Sequence, residues 1–169
     1  KYPDMVQAIV ERGHEIGNHS ATHPHMSKLS ESKMLEELRM MSDKVEKLTS
    51  VRPTLFRPPY GDYNNSVIRT VRSAGYEAVQ WSVDSLDWKN ISPQDMIRRA
   101  GKVGKGDIIL FHNDSQYLLD ALLRAVPVCR LSCGMTEDAV RCSFEAMTGL
   151  TYESERRPDE GCEEGSVFA

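Results

Sequence analysis

The chain has 169 residues, 40% of them hydrophobic and 27% charged, with a formal net charge of −4 and a pI near 5.8. This length and ordinary composition fit one globular domain with room for a tail. The acidic balance speaks against a nucleic-acid binder, which carries a basic face, and no apolar run approaches the roughly 20 residues that a membrane-spanning helix needs.

No signal peptide is visible. The chain opens mid-element at Lys1-Tyr2-Pro3-Asp4, so we expect an upstream part to be missing. Residues 4–12 read as a short helix stopped by Gly13. His14 to His19 reads as a strand around Ile16. Met34, Leu38, Met41, Val45 and Leu48 recur at 4,3,4,3 spacing, which predicts an amphipathic helix from about Ser30 to Thr49. Thr54-Leu55-Phe56 reads as a strand. Asn65 can cap a helix carrying Val67, Ile68, Val71 and Ala74, with Gly75 at its end. Tyr76 to Val83 reads as one strand. Ser92-Pro93-Gln94-Asp95 supplies a capping oxygen, a proline at the first helical position and an acid in the first turn. The helix that follows carries Met96, Ile97, Ala100 and Val103, and Gly104 and Gly106 break it. Asp107 to Phe111 reads as a buried strand, and Gln116 to about Val126 as a last helix. The alternation of strand and helix implies parallel strands with helices outside, in an open sheet or a barrel.

The tail from residue 125 breaks this rhythm. It has four arginines, no lysine and nine acids, so the preceding body is near +1. All four cysteines, Cys129, Cys133, Cys142 and Cys162, lie here without the paired spacing of a zinc ribbon. We expect a domain over 1–124 and an atypical tail over 125–169, disordered at its end and explained by an alternative terminus or a reading-frame artefact.

Four polar clusters fall where predicted strands end, the position at which α/β scaffolds gather their sites. His19 and His23 flank the first strand end, four positions apart. Two neutral imidazoles with a carboxylate and a water make a typical catalytic zinc site; two loop histidines capping backbone groups are the alternative, to which we assign His14 and His25. Arg57-Pro58-Pro59-Tyr60 is a rigid turn, because two prolines fix φ. It leaves few ways to aim Arg57 and the Tyr60 N–H. Arg57 can position a carboxylate by two hydrogen bonds or form a structural salt bridge. Asp84 and Asp87 flank a strand end before Trp88. An acid beside an imidazole fixes its tautomer and favours its charged form, a service Asp87 can give His112; otherwise both aspartates cap the following turn. Trp88 is either core or the mouth of a site. His112 ends the run Ile108-Ile109-Leu110-Phe111, where a general acid or a structural histidine can sit.

Taken together, these residues resemble the polysaccharide deacetylase family, the NodB-homology domain, over about residues 1–124. Gly13-His14-Glu15-Ile16-Gly17-Asn18-His19-Ser20 with His23-Pro24 looks like that family's second motif. Arg57-Pro58-Pro59-Tyr60 is similar to the third, Asp84 to Trp88 to the fourth, and Leu110-Phe111-His112 to the fifth. The resemblance implies an α/β fold, an incomplete distorted β/α barrel of the NodB-homology type. It implies a hydrolase removing N-acetyl or O-acetyl groups from a polysaccharide such as peptidoglycan or chitin, outside the cell or at its surface. By this resemblance His19 and His23 hold a divalent metal, usually zinc, and Arg57 orients the base aspartate. The Tyr60 N–H stabilises the oxyanion, Asp87 pairs with Arg57 and tunes His112, Leu110 and Trp88 line the acetyl pocket, and His112 protonates the departing amine. The family's first motif, Thr-Phe-Asp-Asp-Gly, which supplies the base and a third ligand, has no counterpart in the chain. We therefore expect these residues alone to hydrolyse little or nothing. Two other readings are a catalytically inactive glycan-binding module and a carbon–nitrogen hydrolase acting on small cyclic amides.

Overall fold

A computed structural model of the chain describes residues 2–104 and 106–124. The four cysteines, the tail and the end of the last predicted helix lie outside the described residues. The chain divides into two compact units, Lys1–Gln80 and Trp81–Ala169.

The first unit begins with helix α1, Pro3–Glu11, where the proline occupies the first turn at no hydrogen-bond cost. Helix α2, Glu31–Thr49, is the long amphipathic element the periodicity predicts. Its inner face is Met34, Leu38, Ser42 and Val45. Leu48, expected inside, is instead 43% exposed, and Ser42 is fully buried. The reason is polar: the Ser42 hydroxyl receives the Asn18 side-chain amide at 2.8 Å and meets the Tyr76 hydroxyl at 2.7 Å. Strand β1, Leu55–Phe56, runs parallel to β2, Glu77–Ala78, in register Leu55 with Glu77. Between them lies helix α3, Asn65–Ser73. Its cap is Asn64, not Asn65: the Asn64 carboxamide oxygen accepts the Val67 N–H at 3.0 Å. The expected strand from His14 to His19 is reduced to a single parallel bridge between Asn18 and Phe56. The apolar core gathers Met26, Met34, Leu38, Phe56, Val67, Val71 and Tyr76.

In the second unit β3, Val83–Asp84, pairs in parallel with β4, Ile109–Leu110. The expected single strand from Tyr76 to Val83 is thus two short ones, because Glu77–Ala78 bonds to β1 and Val83–Asp84 bonds to β4. Helix α4, Pro93–Ala100, starts as its sequence predicts, with the Ser92 hydroxyl accepting the Asp95 N–H at 3.2 Å. It ends at Ala100, before Val103 and the two glycines assigned to stop it. Val103 still packs with Ala100 in this unit's apolar cluster, beside Val83, Ile97, Ile109 and Phe111. The strand predicted over Asp107 to Phe111 shortens to its two central residues, with Ile108 partly exposed. Residues 118–124 are helical. Among the described residues no helix is long and apolar enough to cross a membrane.

Phe56 is wholly buried at the centre of the first core. Phe56→Ala is expected to destabilise the chain by about 3–5 kcal/mol through lost burial and a residual cavity. Urea denaturation followed by circular dichroism measures this, and a loss below about 1 kcal/mol contradicts the central position.

Candidate functional site

The loop after the Asn18 bridge is assembled by side chains that precede and face it. Asn18 is buried, and its backbone joins β1 through Asn18 N–H to Leu55 C=O at 2.7 Å and Arg57 N–H to Asn18 C=O at 2.9 Å. Its amide nitrogen donates to Leu38 C=O at 2.7 Å and to the Ser42 hydroxyl, and its amide oxygen accepts the Ser20 N–H at 2.8 Å. The Ser20 hydroxyl then accepts the His23 N–H at 3.0 Å. Ser20 and His23 both have left-handed backbone, with φ of 64° and 60°. Non-glycine residues occupy that region at a cost and persist there when their surroundings over-determine them. Glu37 on α2 adds three more ties. Its carboxylate accepts the Ala21 and Thr22 N–H groups, both at 2.8 Å, and the Thr22 hydroxyl at 2.7 Å.

This folding back brings His19 and His23 together, their ring centroids 5.0 Å apart and edge to face. His19 Nδ1 lies 2.6 Å from the carbonyl oxygen of Arg57. A carbonyl only accepts, so Nδ1 carries the proton and the lone pair of the neutral ring sits on Nε2. A backbone carbonyl on the far nitrogen is the usual support of a metal-ligating imidazole. The Tyr60 ring continues the row, 4.6 Å from His23 edge to face, and stacks on His25 at 4.3 Å. The sequence leaves His25 in a turn with no part in this cluster. Tyr60 is also left-handed, at φ 59°, between buried prolines 58 and 59 and Gly61. The turn closes through Gly61 N–H to Pro58 C=O and Asp62 N–H to Pro59 C=O, bonds in which the Tyr60 N–H takes no part.

The charges around this cluster are tuned by hydrogen bonds. At Glu37 desolvation pushes the carboxyl up, but the bonds from Thr22 and Ala21 together carry it below its ordinary range. The Ser27 hydroxyl and N–H hold the Asp62 carboxyl below its ordinary range, and His25 and Lys28 add to this. Burial lowers the Arg57 guanidinium from its usual value, and its Nε is buried without a hydrogen-bond partner.

The second unit carries a different pair. Asp87 is 0% exposed, and its carboxylate accepts the Trp88 N–H, the His112 N–H and His112 Nδ1–H, the last at 2.8 Å. The acceptor again dictates the tautomer, so Nε2 of His112 is the nitrogen left for chemistry. The His112 ring is 39% exposed. Asp84 does the blander work expected of a strand-end acid: its side chain accepts the Leu86 N–H at 2.8 Å in a tight turn. Trp88 is 54% exposed, with the Lys89 ammonium 4.9 Å from its ring centroid, which removes the core reading. Leu110 is buried on β4 opposite Asp84. A cleft of about 530 Å³ in this unit is lined by Asp84, Leu86, Asp95, Arg98, Arg99 and Lys102 among others, and contains neither Asp87 nor His112.

Sequence reasoning finds the two histidine groups and the Asp87 support of His112, and misses the supports of the loop at 19–23. Glu37 and the Arg57 carbonyl leave no local pattern, because their partners are 15–38 positions away. Among the described residues no group of three or more His, Cys, Asp or Glu side chains is gathered as a metal site. The donor chemistry of His19 and His23 nevertheless fits a divalent ion as two of its ligands: adjacent imidazoles, one with its tautomer already set.

A profile of the family described as polysaccharide deacetylase matches residues 1–79. A peptidoglycan-N-acetylglucosamine deacetylase of Bacillus cereus is 36% identical over 131 residues, covering 74% of this chain and 61% of that protein. The crystallised family 4 carbohydrate esterase of Streptomyces lividans superposes with a TM-score of 0.70 at 31% identity, covering 89% of this chain and 70% of the other. The chain belongs to the polysaccharide deacetylase family. Its α/β fold, with helices between parallel strand pairs, is the β/α-barrel type of these carbohydrate esterases. A family 4 pseudoenzyme of Bacillus anthracis also superposes, with a TM-score of 0.68 at 25% identity, covering 87% of this chain and 47% of that one. The chain spans 15–61% of the length of the curated polysaccharide deacetylases and other relatives it matches.

Two predictions follow from the charged pairs. Asp87→Asn keeps the shape but can present an amide donor to His112, so the ring is expected to exchange tautomers. Nitrogen shifts of the His112 ring, measured by NMR, are expected to invert between Nδ1 and Nε2, and an unchanged pattern contradicts the assignment. Asp62 has a lowered folded pKa, so the stability it contributes is present above the ordinary carboxylate range and disappears as pH falls through the lower value. Ser27→Ala is expected to raise the Asp62 midpoint, read in a carbon-detected NMR titration. A midpoint that stays put contradicts the role of Ser27.

Proposed function

We propose that residues 1–124 are part of a polysaccharide deacetylase domain that, given a base carboxylate these residues do not supply, hydrolyses N-acetyl groups, and by the same chemistry O-acetyl groups, on a cell-wall polysaccharide such as peptidoglycan or chitin. The observation that carries the reading is the imidazole pair His19 and His23, with His19 held by the Arg57 carbonyl at 2.6 Å. These two residues are assigned to a divalent cation, zinc being one of the ions that imidazoles suit. Such an ion supplies Lewis acidity, polarising the acetyl carbonyl and making water a better nucleophile. The names of the relatives, a peptidoglycan-N-acetylglucosamine deacetylase and a carbohydrate esterase, support both the substrate class and the two bond types.

The remaining residues supply protons and hydrogen bonds. His112 in its charged form donates the Nε2 proton to the nitrogen of the departing amine. Asp87 holds Nδ1–H, so the imidazolium forms in the right orientation. The Tyr60 N–H donates to the oxygen of the tetrahedral intermediate, a hydrogen bond strongest when that oxygen is negative. Arg57 orients the carboxylate that serves as base, and Trp88 and Leu110 enclose the acetyl methyl. With such polymers as substrate, the protein acts outside the cell or at its surface. The likeness to a pseudoenzyme favours one second reading, a module that grips the polymer without cutting it.

Acetate release by the natural protein from N-acetylglucosamine oligomers, peptidoglycan and acetylated xylan tests this. Chelation is expected to abolish release and zinc to restore it. His112→Ala is expected to lower kcat at least about 100-fold. Release that survives both chelation and His19→Ala would falsify the proposal, and tight oligomer binding without any release selects the second reading.

A further inference from the structure

Glu37 accepts three hydrogen bonds, yet nothing in the reaction just described employs it. It lies on α2, whereas the histidines lie on the loop at 19–23. All three of its bonds end on Ala21 and Thr22, the two residues between Ser20 and His23. One oxygen, Oε2, receives both backbone N–H groups at 2.8 Å, and Oε1 receives the Thr22 hydroxyl at 2.7 Å. A carboxylate that accepts several backbone N–H groups in a row fixes the conformation of that stretch, since charge-assisted bonds are short and strong. The stretch needs fixing. Residues on both sides of it, Ser20 and His23, have left-handed backbone that relaxed chains avoid. Ser20 is held by Asn18 and His23 by the Ser20 hydroxyl, but Ala21 and Thr22 have only Glu37 among the bonds just described. The exposed charges near Glu37 play a smaller part: Lys44 acts on it through space and forms no bond with it.

We infer that Glu37 is a positioning residue for the two-histidine site: from α2 it clamps the Ala21-Thr22 backbone and thereby sets the separation and angle of the His19 and His23 rings. The inference rests on the reading that these two rings hold a divalent ion. It goes beyond that reading in assigning part of the ion's affinity to a helix residue that touches neither ring. Partners that hydrogen-bond a ligand directly change metal affinity about 10- to 100-fold when removed, and a clamp on the backbone joining the two ligands is expected to act on the same scale.

Glutamine at position 37 retains an oxygen for the two N–H groups and an amide that can donate to the Thr22 oxygen, so it serves as the conservative variant. Alanine removes all three bonds, and Thr22→Val removes the hydroxyl bond alone. Zinc titrations by calorimetry on the natural protein compare the wild type, Glu37→Ala, Glu37→Gln, Thr22→Val and His23→Ala. Amide exchange at Ala21 and Thr22 is measured by NMR on the same proteins without metal, and thermal melts confirm that each is folded. Glu37→Ala is expected to weaken zinc binding about 10- to 100-fold and to speed exchange at both amides. Glu37→Gln is expected to recover most of both losses, and Thr22→Val to fall between the two.

If His23→Ala loses zinc while Glu37→Ala binds as tightly as the wild type, the positioning role is overturned and the metal reading stands. If His23→Ala and the wild type bind zinc alike, or neither binds it, the metal reading falls. The clamp is then judged by exchange: unchanged rates in Glu37→Ala overturn it, and faster rates restored by glutamine uphold the control of loop geometry.

Discussion

The side-chain amide of Asn18 is the tie on which the first unit's site depends. It is a buried polar group, and such groups are costly unless every donor and acceptor is met. Here both donors go to α2, at Leu38 C=O and the Ser42 hydroxyl, and the oxygen goes to the loop at Ser20. One planar group therefore fixes three things at once: the strand end, the helix beside it and the first turn of the loop. The chain of bonds continues through Ser42 to the Tyr76 hydroxyl, at the entry to β2. Apolar packing of Met34, Leu38 and Phe56 brings these segments close, but burial is indifferent to small rotations. Direction comes from the amide.

The two histidine groups show one device used for two purposes. In each, Nδ1–H is held by an oxygen, and Nε2 is left to do chemistry. For His19 the oxygen is the neutral carbonyl of Arg57 at 2.6 Å; for His112 it is the buried carboxylate of Asp87 at 2.8 Å. A carbonyl fixes orientation without adding a full charge, which suits a ring that must bring a lone pair to a cation. A carboxylate fixes orientation and also compensates the positive ring that a proton donor must become. On the roles proposed for them, metal ligand for His19 and proton donor for His112, the two rings share a tautomer and differ in the charge of its partner.

Much of this was legible in the sequence, and the residues say why. Helix α2 and the Ser92 cap of α4 rest on local signals, an apolar period and a capping oxygen next to proline, and both stand where expected. The histidine clusters at 19–23 and 112 were legible because unusual residue types sat at strand ends. The failures share a cause in distant partners. Tyr76 to Val83 has the composition of one strand, but pairing to β1 and to β4 decides where it is a strand. Ser42 reads as polar surface and Leu48 as core, until Asn18 and Tyr76 claim the serine hydroxyl. At Arg57 the sequence points to the side chain, while the carbonyl is the group that sets His19.

Glu37, Leu38 and Ser42 all face the same loop and its root, and they do so from one helix whose residues are spaced by about 100° of rotation. That geometry makes the helix unequal in its tolerance of length change. A single residue inserted between Leu38 and Ser42 would turn everything beyond it by about 100°, and Ser42 could no longer reach Asn18 and Tyr76 together. Beyond Val45 the next three residues are exposed, and an insertion there displaces nothing that the loop relies on. The fold therefore tolerates a change of length at the C-terminal end of this helix, and only substitution along the stretch that holds Asn18 and the Ala21-Thr22 backbone.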